Sequence, residues 1–238
     1  MLPSLILVTV LALAPAGSYN QGNRLYERRD YAGAAAAYRQ ALAPGASAAA
    51  CYNLGNALFK SGQVGRAIVQ YRRARFLAPR DGDARANLEF ARAYRADKVL
   101  TVPGPLARAL DEAFRLVSAR EAAVAAPAAF LLAALALALW IVRRRTALAV
   151  AAAVLGTLFL YGFATQRVWS AEVDARPAVV VAPEADVLAG PTPDARQILL
   201  VHDGTEVRVR ERRGEHLLVQ LPGGSGGWLE AEAVEPVY

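Results

Sequence analysis

The hydrophobic pattern changes several times between Met1 and Tyr238. Residues 2–16 form a short apolar run that ends in Ala14-Pro15-Ala16. From 18 to 98, apolar positions recur with helical spacing in segments separated by Gly, Pro and Asp, which predicts paired amphipathic helices. Residues 122–142 and 146–165 hold no charge, and each approaches the ~20 residues that cross ~30 Å of hydrocarbon. After 177 the short runs VVVA, DVLAGP, ILLV, TEVRVRE, HLLVQL and GWLEAEAV alternate with turn signals, which predicts a small all-β domain. The fold class expected is therefore a multidomain membrane protein: all-α helical repeats, a transmembrane α-hairpin, and an all-β barrel.

The helical segment repeats itself. Gly22 recurs as Gly55, Ala34 as Ala67, Tyr38 as Tyr71 and Ala41 as Ala74, each 33 positions on, and Asn20 and Asn23 recur as Asn53 and Asn56. The unit CYNLGNALFKSGQVGRAIVQYRRARFLAP resembles a tetratricopeptide repeat, whose period is close to this one. The resemblance divides 18–98 into units at 18–46 and 49–79 and a capping helix at 83–97 that solvates the open end. It implies that Leu54 and Gly55 lie where paired helices touch, that Ala67, Tyr71 and Ala74 interlock, and that Pro79 ends the second helix. Gly22, Ala34, Tyr38 and Ala41 take these packing roles in the first unit.

Repeats of this kind line a concave groove with their first helices. By the resemblance, Tyr19, Asn23 and Tyr26 of the first unit face it, with Tyr52, Asn56, Phe59 and Lys60 of the second. The two asparagines match positions that hold a ligand backbone or carboxylate in chaperone-type members. The lysines of that carboxylate clamp are missing, because Tyr19 and Ala86 occupy their places. Cys51 falls at a packing position, and burial as a structural thiol is expected.

Charge adds to this picture. Residues 18–98 hold 14 basic and 6 acidic side chains, a surplus of 8, densest at Arg72, Arg73 and Arg75. An acidic protein partner or anionic lipid headgroups suit such a surface; nucleic acid is not expected beyond the membrane. Residues 177–238 carry 5 basic against 10 acidic side chains, so the last domain is itself a candidate ligand for the basic repeats.

The opening run, 1–17, resembles a secretory signal cleaved after Ala16, with an uncleaved N-terminal anchor as the alternative. Ser18 stands where a lipoprotein needs cysteine. Arg143, Arg144 and Arg145 are all that separates the two neutral runs, so 143–145 reads as a cytoplasmic loop. Both flanks then lie outside a bacterial inner membrane, in the periplasm. Within the linker, 99–121, Leu106, Leu110, Ala113, Phe114 and Val117 share one helical face. That short helix either lies on the membrane or packs on the repeats.

One cysteine and two histidines in 238 residues exclude an internal disulfide framework and leave little for a metal cluster. No catalytic constellation, metal site or cofactor is expected, and the chain reads as non-enzymatic. In 177–238, Val187-Leu188, Gly190-Pro191, Gly204, Val207, Val209 and Gly227-Trp228-Leu229 resemble a bacterial SH3-type domain, with His216 where a tryptophan is usual. The order of parts (signal, repeats, short helix, two spans, SH3-type barrel) resembles the BatE family of aerotolerance-operon proteins. That resemblance implies a scaffold working with von Willebrand A-domain Bat proteins, or other envelope proteins, in stress tolerance or envelope integrity. A cell-wall module whose barrel grips peptidoglycan is the alternative.

Overall fold

The computed structural model describes residues 16–97 and 104–238. The expected export signal, apart from its last two residues, and the start of the linker fall outside these. The chain forms two compact units: one joins 16–97 to 175–238, and the other is built from 104–174.

In the first unit, five helices follow one another: α1 (16–27), α2 (Tyr31–Leu42), α3 (Ala48–Lys60), α4 (Val64–Leu77) and α5 (Gly82–Tyr94). Their starts are set by capping residues. Asp30 accepts from the Gly33 amide, Ser47 from Ala50, and Asp81 from Asp83 and Ala84, satisfying amides that lack an intrahelical partner. The two intra-repeat turns use one left-handed residue each, Arg29 at φ 63° and Gly62 at φ 82°. Those positions are themselves 33 apart. The small buried faces of Ala34, Ala57 and Ala67 let the helices approach, and Leu54, Leu58, Ile68 and Leu88 fill the space between.

Seven strands form one antiparallel sheet: β1 (Pro177–Val180), β2 (Glu184–Leu188), β3 (Gln197–His202), β4 (Glu206–Arg213), β5 (His216–Gln220), β6 (Gly226–Glu230) and β7 (Val234–Pro236), in the order β3-β2-β6-β5-β4-β1-β7. The sheet is not the closed barrel expected from the sequence: β3 and β7 are its two edges. The β7 end is covered by α4 instead, where Arg73 Nε donates to the Val237 carbonyl at 2.7 Å and its Nη2 to the Pro236 carbonyl at 2.9 Å.

Strand alternation explains how the sheet joins the repeats. Ala178 and Val180 point into the sheet's own core with Val187, Val201 and Leu229, whereas Val179 points the other way and packs, with Val237, into the core of Ile68, Val69 and Leu88. Gly65 makes this approach possible. A Cβ there would collide with the Val180 carbonyl oxygen.

The second unit holds α6 (Pro105–Phe114), α7 (Ala119–Arg143) and α8 (Thr146–Asp174). Helices α7 and α8 are both long and apolar enough to cross a membrane. They pack through small residues, Ala122, Ala126, Ala129 and Ala136 being buried, and a Cβ on Gly162 would lie 2.9 Å from that of Ala126. The turn is tighter than the three-residue loop expected, because Arg143 stays helical and Arg144 alone adopts the left-handed conformation, its amide donating to the Trp140 carbonyl. Helix α8 continues nine residues past the expected end of the second span at 165, since Gln166 and Arg167 are polar without breaking a helix. Ser118 opens α7 with a capping box, exchanging hydrogen bonds with Glu121.

Candidate functional site

The repeat's tyrosines, asparagines and glycines form one device, built twice. In the first unit the Tyr38 hydroxyl donates to Asn23 Oδ1 at 2.8 Å, and Asn53 Nδ2 donates to the same oxygen at 3.4 Å and to the Tyr19 hydroxyl at 2.8 Å. In the second, the Tyr71 hydroxyl donates to Asn56 Oδ1 at 2.8 Å, and Asn87 Nδ2 donates to that oxygen at 2.8 Å and to the Tyr52 hydroxyl at 3.2 Å. Each tyrosine ring lies against a glycine of its partner helix. A Cβ on Gly22 would fall 2.5 Å from the Tyr38 ring, and one on Gly55 would fall 2.6 Å from Tyr71. Burial pushes the Tyr38 hydroxyl up to about 12 and the Tyr71 hydroxyl higher still, so both remain protonated donors at neutral pH.

This network occupies the carboxamide oxygens of Asn23 and Asn56, which the resemblance assigned to ligand. Their Nδ2 groups make no hydrogen bond among the described residues. Tyr26, Tyr52, Asn56, Phe59 and Lys60 line one depression of about 290 Å³ together with Tyr71, Asn87 and Phe90. Tyr19 and Asn23 are not part of its lining; Asn53 of α3 bonds both. Phe59, Phe90 and Tyr94 form a three-ring cluster with centroids 5.0–5.5 Å apart. Phe90 and Tyr94 are more than half exposed, so the open end of the stack presents aromatic rings as well as charges. The packing residues Ala34, Ala41, Leu54, Ala67 and Ala74 are buried, and Pro79 follows the end of α4. Cys51 is buried too, and that burial pushes its thiol up, which disfavours the reactive thiolate.

The basic cluster turns out to have an internal partner. Glu206 of β4 receives Arg92 through two contacts, Nε to Oε1 at 2.8 Å and Nη2 to Oε2 at 2.9 Å, with Arg95 at 3.1 Å and Arg72 at 3.2 Å. Burial alone would push the Glu206 carboxyl up, but Arg92, followed by Arg72 and Arg95, holds it below its ordinary value. Arg73 grips the carbonyls beyond β7 and lies 3.6 Å from Glu235. Of the partners the charges suggested, an outside one and the chain's own acidic last domain, Arg72 and Arg73 meet the second, pairing with Glu206 and Glu235. Two further acids tie the same junction. Asp97 accepts from the His202 amide at 2.8 Å and the Thr205 hydroxyl at 2.5 Å, and Asp203 accepts from the Gly65 amide at 3.0 Å, capping α4 where Gln63 makes no side-chain cap. A second cleft, about 360 Å³, opens beside this junction between Arg39, Arg66, Gln70 and Glu235.

Sequence reasoning did not nominate Phe90, Tyr94, Glu206, Asp97 or Asp203. The opposite charges of the two ends were the available signal for the acids. Phe90 had none, since it lies on the helix read from the sequence only as a cap. Among the described residues, no group of three His, Cys, Asp or Glu is arranged to hold a metal ion.

Paired helices stacked at a 33-residue period, with an aromatic depression along their first helices, define a helical-repeat interaction module. Residues 48–81 match the family model of the tetratricopeptide repeat. No curated protein matches the chain.

Proposed function

We propose that the chain is a non-enzymatic scaffold of the bacterial inner membrane that holds partner proteins through its periplasmic repeats. The observation that carries this reading is the depression around Tyr52, Phe59 and Phe90: solvent-accessible rings, flanking amide donors and Lys60, with no nucleophile–base pair beside them. Such a surface suits an extended or helical segment of another protein, anchored by rings that become desolvated on binding.

The topology follows from chain connectivity. The first unit holds residues from both sides of the apolar hairpin, up to 97 and from 175 on. If α7 and α8 cross the bilayer, an even number of crossings returns the chain to the side it left. Three arginines at the hairpin turn favour the cytoplasm for that turn, so the repeats and the sheet face the periplasm. The Gly227-Trp228-Leu229 segment carries the resemblance to SH3-type domains. In this chain the sheet braces the repeats through β1, β4 and β7. The BatE resemblance adds the partner class, von Willebrand A-domain Bat proteins of the same membrane, and a part in stress tolerance or envelope integrity.

The test is affinity purification of the full chain in mild detergent, alongside a Tyr52→Ala/Phe59→Ala variant with an unchanged melting curve. Co-purifying envelope proteins should be retained by the parent and lost by the variant. Equal recovery from both would sink the groove as the binding site. A reporter active only in the periplasm, fused after Tyr238, should be active; an inactive, well-expressed fusion would reverse the topology.

A further inference from the structure

We propose that α6 is a membrane-surface helix that inserts Leu106 and Leu110 into the acyl boundary of the bilayer. This rests on the reading that α7 and α8 span that bilayer. It adds a second, lateral lipid contact to the hairpin and commits to lipid as the cover of the α6 apolar face.

The sequence makes α6 two-sided. Leu106, Leu110, Ala113 and Phe114 fall on one face, and Arg108, Asp111 and Glu112 on the other. The structure leaves the apolar face bare. No residue of α6 is buried, and Leu106 and Leu110 are 72% and 51% exposed. Among the described residues, its last turn and the turn after it are held by α8. The Tyr161 hydroxyl donates to the Ala113 carbonyl at 2.6 Å, and the Phe114 ring stacks on Tyr161 with centroids 5.8 Å apart. Trp169 Nε1 donates to the Val117 carbonyl at 2.9 Å. Arg115 lies over the Trp169 ring at 4.7 Å and pairs with Glu172 and, at 2.7 Å, with Asp111.

These contacts fix the depth at which α6 ends. With the arginine turn at one boundary of ~30 Å of hydrocarbon, a rise of 1.5 Å per residue from Thr146 puts Tyr161 at ~22 Å and Trp169 at ~34 Å. The Ala113 carbonyl is thus bonded by a residue whose backbone lies ~8 Å inside the far boundary, in the band ~5–10 Å deep where interfacial amphipathic helices lie, and the Val117 carbonyl by one whose backbone lies ~4 Å outside it. The polar groups at this level have partners: the Ala113 carbonyl takes the Tyr161 hydroxyl, the Val117 carbonyl beyond the helix takes the Trp169 indole, and the Arg115 charge meets two carboxylates. Helix α6 itself carries one Arg against one Asp and one Glu, so its attachment depends on apolar insertion and not on headgroup charge.

The experiment uses the full chain with Cys51→Ala, reconstituted in phosphatidylcholine vesicles. A single spin label is placed at Leu106→Cys, Arg108→Cys, Leu110→Cys, Glu112→Cys or Val154→Cys. Collisions with oxygen, which concentrates in lipid, are compared with those of a water-soluble nickel chelate. Oxygen should dominate at 106 and 110 and nickel at 108 and 112, and adding phosphatidylglycerol should leave this order unchanged. Val154, 54% exposed in α8, reports on the spanning reading alone. Oxygen dominance at 154 with nickel dominance at 106 and 110 overturns the α6 assignment and leaves the hairpin standing. Protection of 106 and 110 from both reagents overturns it as well, since protein would then cover that face. Nickel dominance at 154 removes the hairpin reading and the proposal with it.

Discussion

Arg92 of α5 and Glu206 of β4, 114 positions apart in the chain, meet through two near-parallel hydrogen bonds of 2.8 and 2.9 Å. Their side chains are 25% and 16% exposed, and Arg72 and Arg95 complete the ring around the carboxylate. The pair belongs to two pieces of chain separated by the apolar hairpin, and it helps make them one folded unit.

Replacing Glu206 by Gln should therefore be costly. Three arginines would lose their common counter-charge in a largely desolvated place, and breaking such a cluster from one side costs ~3–5 kcal/mol. Chemical unfolding of the detergent-solubilised chain, followed by Trp228 fluorescence, checks this. A loss below about 1 kcal/mol would mean that the cluster is solvated like a surface pair.

Acid should loosen the same junction. The Glu206 and Asp97 carboxyls lie below their ordinary values of 4.5 and 3.8 in the folded chain. For Asp97, burial acts upward, but bonds from Thr205 and His202 outweigh it. Folded values below unfolded ones contribute stability that is whole above the ordinary range and is lost as pH falls through the folded values. Asp203, pushed up by burial, works in the opposite sense and blunts the effect. Melting temperature should fall as pH drops below the carboxylate range, and Glu206→Gln should flatten that fall. A Glu206→Gln profile parallel to the parent's would place the acid sensitivity elsewhere.

The glycine–tyrosine contacts predict a sharp local effect. Gly55→Leu must displace the Tyr71 ring, whose Cε1 lies 2.6 Å from the position of a Cβ, and so strains the hydroxyl's bond to Asn56. Overpacking of this kind costs ~1–3 kcal/mol. Gly45→Ala, with nothing within 4 Å of its Cβ, should change stability by less than ~0.5 kcal/mol. Thermal melts of both variants decide it, and equal melting temperatures would refute the close contact.

The repeats should not be self-sufficient. Residues 16–97 alone would leave Ile68 and Val69 without Val179 and Val237, and would leave Arg72, Arg92 and Arg95 without Glu206. A chimera in which a flexible linker replaces the hairpin between 97 and 175 should fold as a soluble unit and unfold in one step, well above the isolated repeats. Equal melting temperatures for fragment and chimera would show that the sheet adds nothing to repeat stability.

Much of the plan was legible in the residues because it rests on local periods. The 33-residue recurrence of Gly, Ala, Tyr and Asn located the helix pairs, and residues 48–81 match the corresponding repeat family. Two neutral runs with an arginine turn located the apolar helices, and alternating short runs located the strands. The side chains Tyr52, Asn56, Phe59 and Lys60, placed on the groove face by the tetratricopeptide resemblance, line one depression in the structure.

Other features depended on contacts between distant parts of the chain. The asparagines that the resemblance assigned to ligand have their oxygens bonded by Tyr38 and Tyr71, fifteen positions on, a pairing visible only once the helices pack. The small barrel expected from the run of short strands is a sheet whose edges are β3 and β7, and Arg73 of α4 bonds the chain at the β7 edge. The surplus of 8 positive charges located a basic surface but could not say what covers it, because charge complementarity carries no address. Sequence alone determined the elements and their amphipathic faces, which arise from neighbours within a few residues. Tertiary structure alone decided that β1, β4 and β7 are the partner of α4 and α5, because the burial of Val179 and the desolvation of Glu206 exist only when chain segments more than a hundred residues apart are brought into contact.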